Sequence, residues 1–170
     1  MSKLPVYIII ILLNTLSLAA QNKPDSTSLV YDYNADKIAK EAVSNIVSYL
    51  GLEPNFVVIA SDVKTVIAYT KGGKRYIAYN PEFIKKLKLK TKTDWAAVSV
   101  LAHEIGHHLL GHTLKLKATN PGNELAAERF SGFILYKMGA TLNEAKAAID
   151  AVGDELDSIY HPPKKARIEA

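Results

Sequence analysis

Five residues near the middle of the chain, His103-Glu104-Ile105-Gly106-His107, carry the side chains of hydrolytic metal chemistry at a usable spacing. On a helix, positions i and i+4 share a face, so His103 and His107 aim their imidazoles at one point. Neutral imidazole ligates zinc well, and two from one rigid turn fix two corners of a tetrahedron. Glu104 stands about 100° further round the helix, beside that point rather than on it. A carboxylate so placed can take the proton of the hydrolytic water. Chance puts this pattern into roughly one sequence in a hundred of this size and composition. Here, however, it falls on a segment with the apolar rhythm of a buried helix: Ala96, Ala97, Val100, Leu101, Ile105, Leu109 and Leu110. The competing reading is a buried helix whose histidines merely pair with neighbours. Such polar groups facing a core without partners would be costly.

A catalytic site needs a third protein ligand and a position left open for water. His112, nine residues beyond His103, falls on the opposite face while the helix continues, so it cannot reach the same ion. The next helical segment offers Glu124 and Glu128, which share a face at i and i+4. Glu124 is read as the third ligand to one zinc ion per chain. Glu128 is read as the carboxylate that accepts the free N–H of a metal-bound histidine, His103 in the first instance. A surface charge paired with Arg129 is the alternative for Glu128.

The text around these residues, Leu101-Ala102-His103-Glu104-Ile105-Gly106-His107-His108 and Glu124-Leu125-Ala126-Ala127-Glu128-Arg129-Phe130, is similar to peptidase family M48. That family of gluzincin metallopeptidases includes the CAAX prenyl protease and HtpX-like enzymes. The resemblance runs from about Arg75 to the C-terminus, and includes a third motif, His161-Pro162-Pro163 with Arg167 six residues after His161. It implies a zincin-like fold and peptide-bond hydrolysis, with Glu104 as the catalytic base. It also implies that His161 and Arg167 stand near the active site and assist the transition state. On the residues alone, an ordinary turn before two prolines accounts for His161 equally well. Two departures limit the likeness. The family usually has Asp where this chain has Glu128. Its integral-membrane members carry several spanning helices, so the resemblance is to the small soluble members, and prenylated-peptide specificity is not carried over.

The elements that must position these groups follow from patterning. Ile38, Ala42, Val43, Ile46, Val47 and Leu50 recur at helical spacing before Gly51. Three β-branched or aromatic runs, Phe56 to Ala60, Thr65 to Thr70 and Arg75 to Tyr79, come next, the last two joined by a Gly72-Gly73 hairpin. Asn80-Pro81 opens a helix, Thr93 or Asp94 caps one from Trp95 to about His112, and another runs from Asn123 to Met138 before Gly139. Thr141 to Glu144 form a capping box for a further helix. The expected fold is α+β, mostly helical, with a small antiparallel sheet packed against the helix of the metal site. An extended peptide substrate would add a strand to a sheet edge. Tyr76, Ile77, Ala78 and Tyr79 are nominated as that edge, although they fit a core strand equally well.

The N-terminus has the layout of a cleavable export signal over residues 1–20: Lys3, an apolar run from Val6 to Leu13, then Ser17-Leu18-Ala19-Ala20. Asn14 and Thr15 break the run short of the ~20 residues a spanning helix requires. Residues 21–33 read as a polar arm, and 34–170 as one catalytic domain, periplasmic or secreted. An uncleaved leader serving as an anchor is the alternative. There are no cysteines, so disulfides and thiolate zinc ligands are excluded. The formal charge of +4 owes much to the run from Lys85 to Lys92. No aromatic residue interrupts that run to stack a base, so it reads as a solvated helix face rather than a nucleic-acid surface. The expected partner is a peptide or protein substrate. A zinc-holding interaction module without activity is the rival to an enzyme.

Overall fold

The computed structural model describes residues 35–53, 55–114, 120–153 and 161–170. The expected signal and the polar arm, residues 1–33, lie outside the described residues. The order is α1 (Ala35–Tyr49), β1 (Phe56–Ala60), β2 (Val66–Lys71), β3 (Lys74–Tyr79), α2 (Pro81–Thr91), α3 (Trp95–Leu109), α4 (Pro121–Met138), α5 (Leu142–Val152) and α6 (Lys164–Glu169). A single 3-10 turn, His112–Leu114, follows α3.

Local chemistry accounts for most of these boundaries. Gly72 and Gly73 take φ of +56° and +74°, the left-handed pair that a two-residue hairpin between β2 and β3 requires. The Asn80 side chain accepts the backbone N–H groups of Glu82 and Phe83 at 2.9 and 3.1 Å, so α2 starts at Pro81. Thr141 and Glu144 complete the capping box of α5. On α2, Ile84 and Leu87 turn inward while Lys85, Lys86 and Lys90 are exposed, so the basic run is a solvated helix face. Two helices depart from expectation. Asn120 caps α4, which therefore begins two residues earlier than predicted. Helix α3 stops at Leu109 rather than near His112, because Gly111 at φ +75° reverses the chain.

The sheet is mixed, not antiparallel throughout. Its order is β1-β3-β2, with β1 parallel and β2 antiparallel to β3. Tyr76, Ile77, Ala78 and Tyr79 therefore lie on the central strand, both of whose sides are already paired, and cannot offer the edge assigned to them. The reason is burial: Ile77, Ala78 and Tyr79 are the strand residues with least exposure, and the middle of the sheet is where burial is greatest. The free edge beside α3 belongs to β2.

Helix α3 is the axis of the core. Twelve of its fifteen residues are buried, which leaves most of its circumference covered by neighbouring elements. It packs on α1 through a cluster containing Ile38, Ala42, Ile46, Leu101 and Ile105. Ile134 and Leu135 of α4 join the same cluster, while α5 contributes Ala148 and Val152 to a second one around Leu87 and Ala96. Among the described residues, no helix is long and apolar enough to cross a membrane.

Candidate metal centre

Helix α3 presents His103, Glu104 and His107, and α4 presents Glu124 in its first turn and Glu128 one turn later. The two helices can come this close because Gly106 lacks a side chain. A Cβ there would lie 3.0 Å from Phe130 Cδ1 of α4. Glu124 also gains from its place at a helix N-terminus, where the macrodipole favours an anion.

Three donors converge. His103 Nε2 and His107 Nε2 are 3.0 Å apart, and the Glu124 carboxylate oxygens lie 3.4 Å from the first and 3.3 Å from the second. The ligand atoms all fall within 4.8 Å of one another. A tetrahedral zinc site with bonds of about 2.0–2.1 Å has ligand–ligand edges of about 3.3–3.4 Å. The trio therefore has both the donor chemistry and the span that a zinc ion requires.

Each imidazole is braced from behind. His103 Nδ1 lies 3.3 Å from Glu128 Oε2. Glu128 is not paired with its neighbour Arg129. Its Oε1 accepts from Arg167, at 2.7 Å from Nε and also from Nη2. Arg167 is buried, with Nε and Nη2 on this carboxylate and Nη1 making no hydrogen bond among the described residues, and it also lines the cavity at the site. His161, from the segment before α6, places Nδ1 2.8 Å from Glu124 Oε2. On the other side, His107 Nδ1 lies 3.0 Å from His112 Nδ1. Sequence reasoning missed this contact by extending α3 too far. Gly111, directly before His112, was the available signal.

The titrations follow from this packing. Burial alone would lower His103, but the Glu124 and Glu128 carboxylates bonded to it prevail and raise it to about 10. Burial lowers His107 to about 4, assisted by the positive charge on His103. Burial would raise Glu124 and Glu128, yet the imidazole of His103 outweighs it and both are depressed. The paired carboxylates call for a cation between them, which a proton on His103 supplies in part and a divalent ion supplies fully. Burial pushes the Glu104 carboxyl up to about 7, against the opposing pull of His103.

One cavity of about 500 Å³ joins these groups. The metal-site residues line it together with the length of β2 from Val66 to Thr70. The Ala68 backbone bonds the Glu104 carboxylate, so the free edge of β2 faces the base directly. Phe83, Val100, Ala148, Ile149 and Val152 form an apolar part of the same cavity.

The sequence model of peptidase family M48 matches residues 34–154, which takes in every element from α1 to α5 and all three converging donors. The chain belongs to peptidase family M48. The match begins well before Arg75, so α1 and β1 are part of the family domain, and it ends before His161 and Arg167. No curated protein and no solved structure matches the chain. Family membership makes it a metallopeptidase-type domain of zincin-like α+β architecture, with a His103, His107 and Glu124 group able to hold a metal ion.

Proposed function

We propose that this chain is an exported, zinc-dependent endopeptidase that holds one zinc ion through His103, His107 and Glu124. The observation that carries the reading is the convergence of those three donors on one point, with Glu104 beside it and an open cavity in front. When bound, a zinc ion supplies Lewis acidity that lowers the pKa of a water molecule and polarises a carbonyl. Glu104 takes the proton of the attacking water and delivers it to the leaving amine. A carboxyl raised to about 7 is suited to both duties near neutral pH. His161, at the rim beside Glu124, is the candidate donor to the carbonyl oxygen as charge develops there. The peptide lies extended along the free edge of β2, bonded through its backbone, which places a scissile carbonyl beside Glu104. Export rests on the leader-like residues 1–20.

The test combines metal analysis of the purified protein with cleavage of a peptide library, with and without chelator. Glu104→Gln is expected to keep zinc and to lower kcat by about 10²–10⁴-fold. A Glu104→Gln protein that holds zinc and matches its parent in activity would support the inactive interaction module instead.

A further inference from the structure

We infer that His112 is the positioning residue of the second metal-binding histidine: its Nδ1 accepts the Nδ1–H of His107 and so fixes the ring whose Nε2 faces the metal point. This rests on the metallopeptidase reading above, and concerns how unequally the chain holds its two imidazoles.

The geometry is specific. His107 turns Nε2 toward His103 and Glu124, and Nδ1 away from them toward His112 Nδ1 at 3.0 Å. The two rings meet edge-on, with centroids 5.1 Å apart and planes at 66°. His112 therefore stands behind the ligand rather than among the ligands. An imidazole that binds a metal through Nε2 in its neutral form carries its proton on Nδ1, so His107 must be the donor of this bond. His112 must then be an acceptor at Nδ1, with its own proton on Nε2. Metal-binding histidines ordinarily give this second N–H to a carboxylate, a carbonyl or water. A second histidine in that place is a weaker and neutral acceptor.

The position of His112 is built by its neighbours. Gly111, at φ +75°, reverses the chain immediately after α3. The Thr113 hydroxyl then lies 2.9 Å from His108 Nδ1 and 3.3 Å from the Thr70 hydroxyl. His108 in turn donates from Nε2 to the Tyr76 carbonyl of the central strand at 2.8 Å. One hydroxyl thus pins the turn to both α3 and β2, and the residue between Gly111 and Thr113 is delivered to His107.

The experiment measures zinc affinity by chelator competition on the full mature chain. His112→Leu removes the acceptor, whereas His112→Asn keeps an oxygen where Nδ1 stood in a side chain of nearly the same shape. Loss of such an outer partner weakens metal binding about 10–100-fold. His112→Leu is expected to fall in that range, with His112→Asn recovering most of the loss. Equal affinities for parent and His112→Leu, or equal weakness of both variants, would overturn the inference. Should His112→Leu not fold, long-range ¹H–¹⁵N spectra of the unmodified zinc-loaded protein decide: an Nε2–H tautomer at His112 supports it, and an Nδ1–H tautomer overturns it. If the parent chain binds no zinc at all, the metallopeptidase reading fails first, and that result is distinct from a parent that binds zinc indifferently to residue 112.

Discussion

His103 and His107 are one helical turn apart, the same residue type, and aimed at the same point, yet their surroundings push them in opposite directions. His103 is raised to about 10 and His107 lowered to about 4. The helix that carries them cannot explain this, because both are buried in it. The difference lies in the carboxylates: Glu124 in front and Glu128 behind both bond His103, whereas burial and the charge on His103 hold His107 down. Glu128 and then Arg167 back His103, in a buried ionic chain reaching α6. Another histidine, from a short turn, backs His107. The lesson is that a ligand pair in one motif can have its electrostatics set by segments far away in sequence.

Breaking the ionic brace should have the largest effect. Arg167→Met leaves the Glu128 carboxylate buried without its guanidinium, and removal of one partner from a buried pair costs about 3–5 kcal/mol. Urea denaturation of the chelated protein is the measurement, since it isolates the pair from metal binding. A loss below about 1 kcal/mol would mean the pair behaves as a surface one, and the buried brace behind His103 would be weaker than its geometry implies. The double variant Arg167→Met with Glu128→Leu should recover part of the loss, because no lone charge then remains inside.

Sharpening the same contrast requires pH. A group whose folded pKa is raised stabilises fully below its unfolded value and loses that contribution as pH climbs through the folded value. For His103 that window runs from 6.5 to about 10. Glu104, raised to about 7, has a window from 4.5 upward that is closed by then, and the window for His107, lowered to about 4, lies below 6.5. Above pH 7 His103 therefore dominates among these groups, and the chelated protein should lose about 1.4 kcal/mol of stability per pH unit. Thermal melts at pH 7, 8 and 9 should show the fall, and saturating zinc should flatten it by replacing the proton. A melt temperature that is flat without zinc would show that His103 is not charged in the fold.

Much of this was legible in the sequence, and the division is physical. Cap Asn80, the Gly72-Gly73 turn and the Thr141–Glu144 box act within a few residues, so their elements could be read directly. The convergence of His103, His107 and Glu124 needed only helical geometry and two successive helices. Strand order was not legible, since β1 could pair with either later strand and only burial in three dimensions places β3 between them. Arg167 lies 39 residues from Glu128, and nothing local couples them. His112 was hidden because Leu109 and Leu110 carry the apolar rhythm right up to Gly111, whose stop signal was passed over.

The smallest effect belongs to a control that looks, on distance alone, as strong as the brace. Lys88 Nζ lies 2.6 Å from Asp94 Oδ1, between the end of α2 and the start of α3. Both side chains are about a quarter exposed, at 27% and 24%, so water already solvates the charges that the pair would otherwise neutralise. Lys88→Ala leaves Asp94 Oδ1, itself shielded from water, without this partner, but the carboxylate as a whole is about a quarter exposed, so solvent still reaches its charge. Such pairs are worth about 0.2–1 kcal/mol, and salt screens them. The expected loss is therefore under about 1 kcal/mol and should shrink further in 0.5 M salt, about three times the physiological level, with zinc affinity unchanged. A loss rivalling that of Arg167→Met would show that bond length rather than burial sets the strength of ion pairs here, and would remove the basis for separating the two histidines.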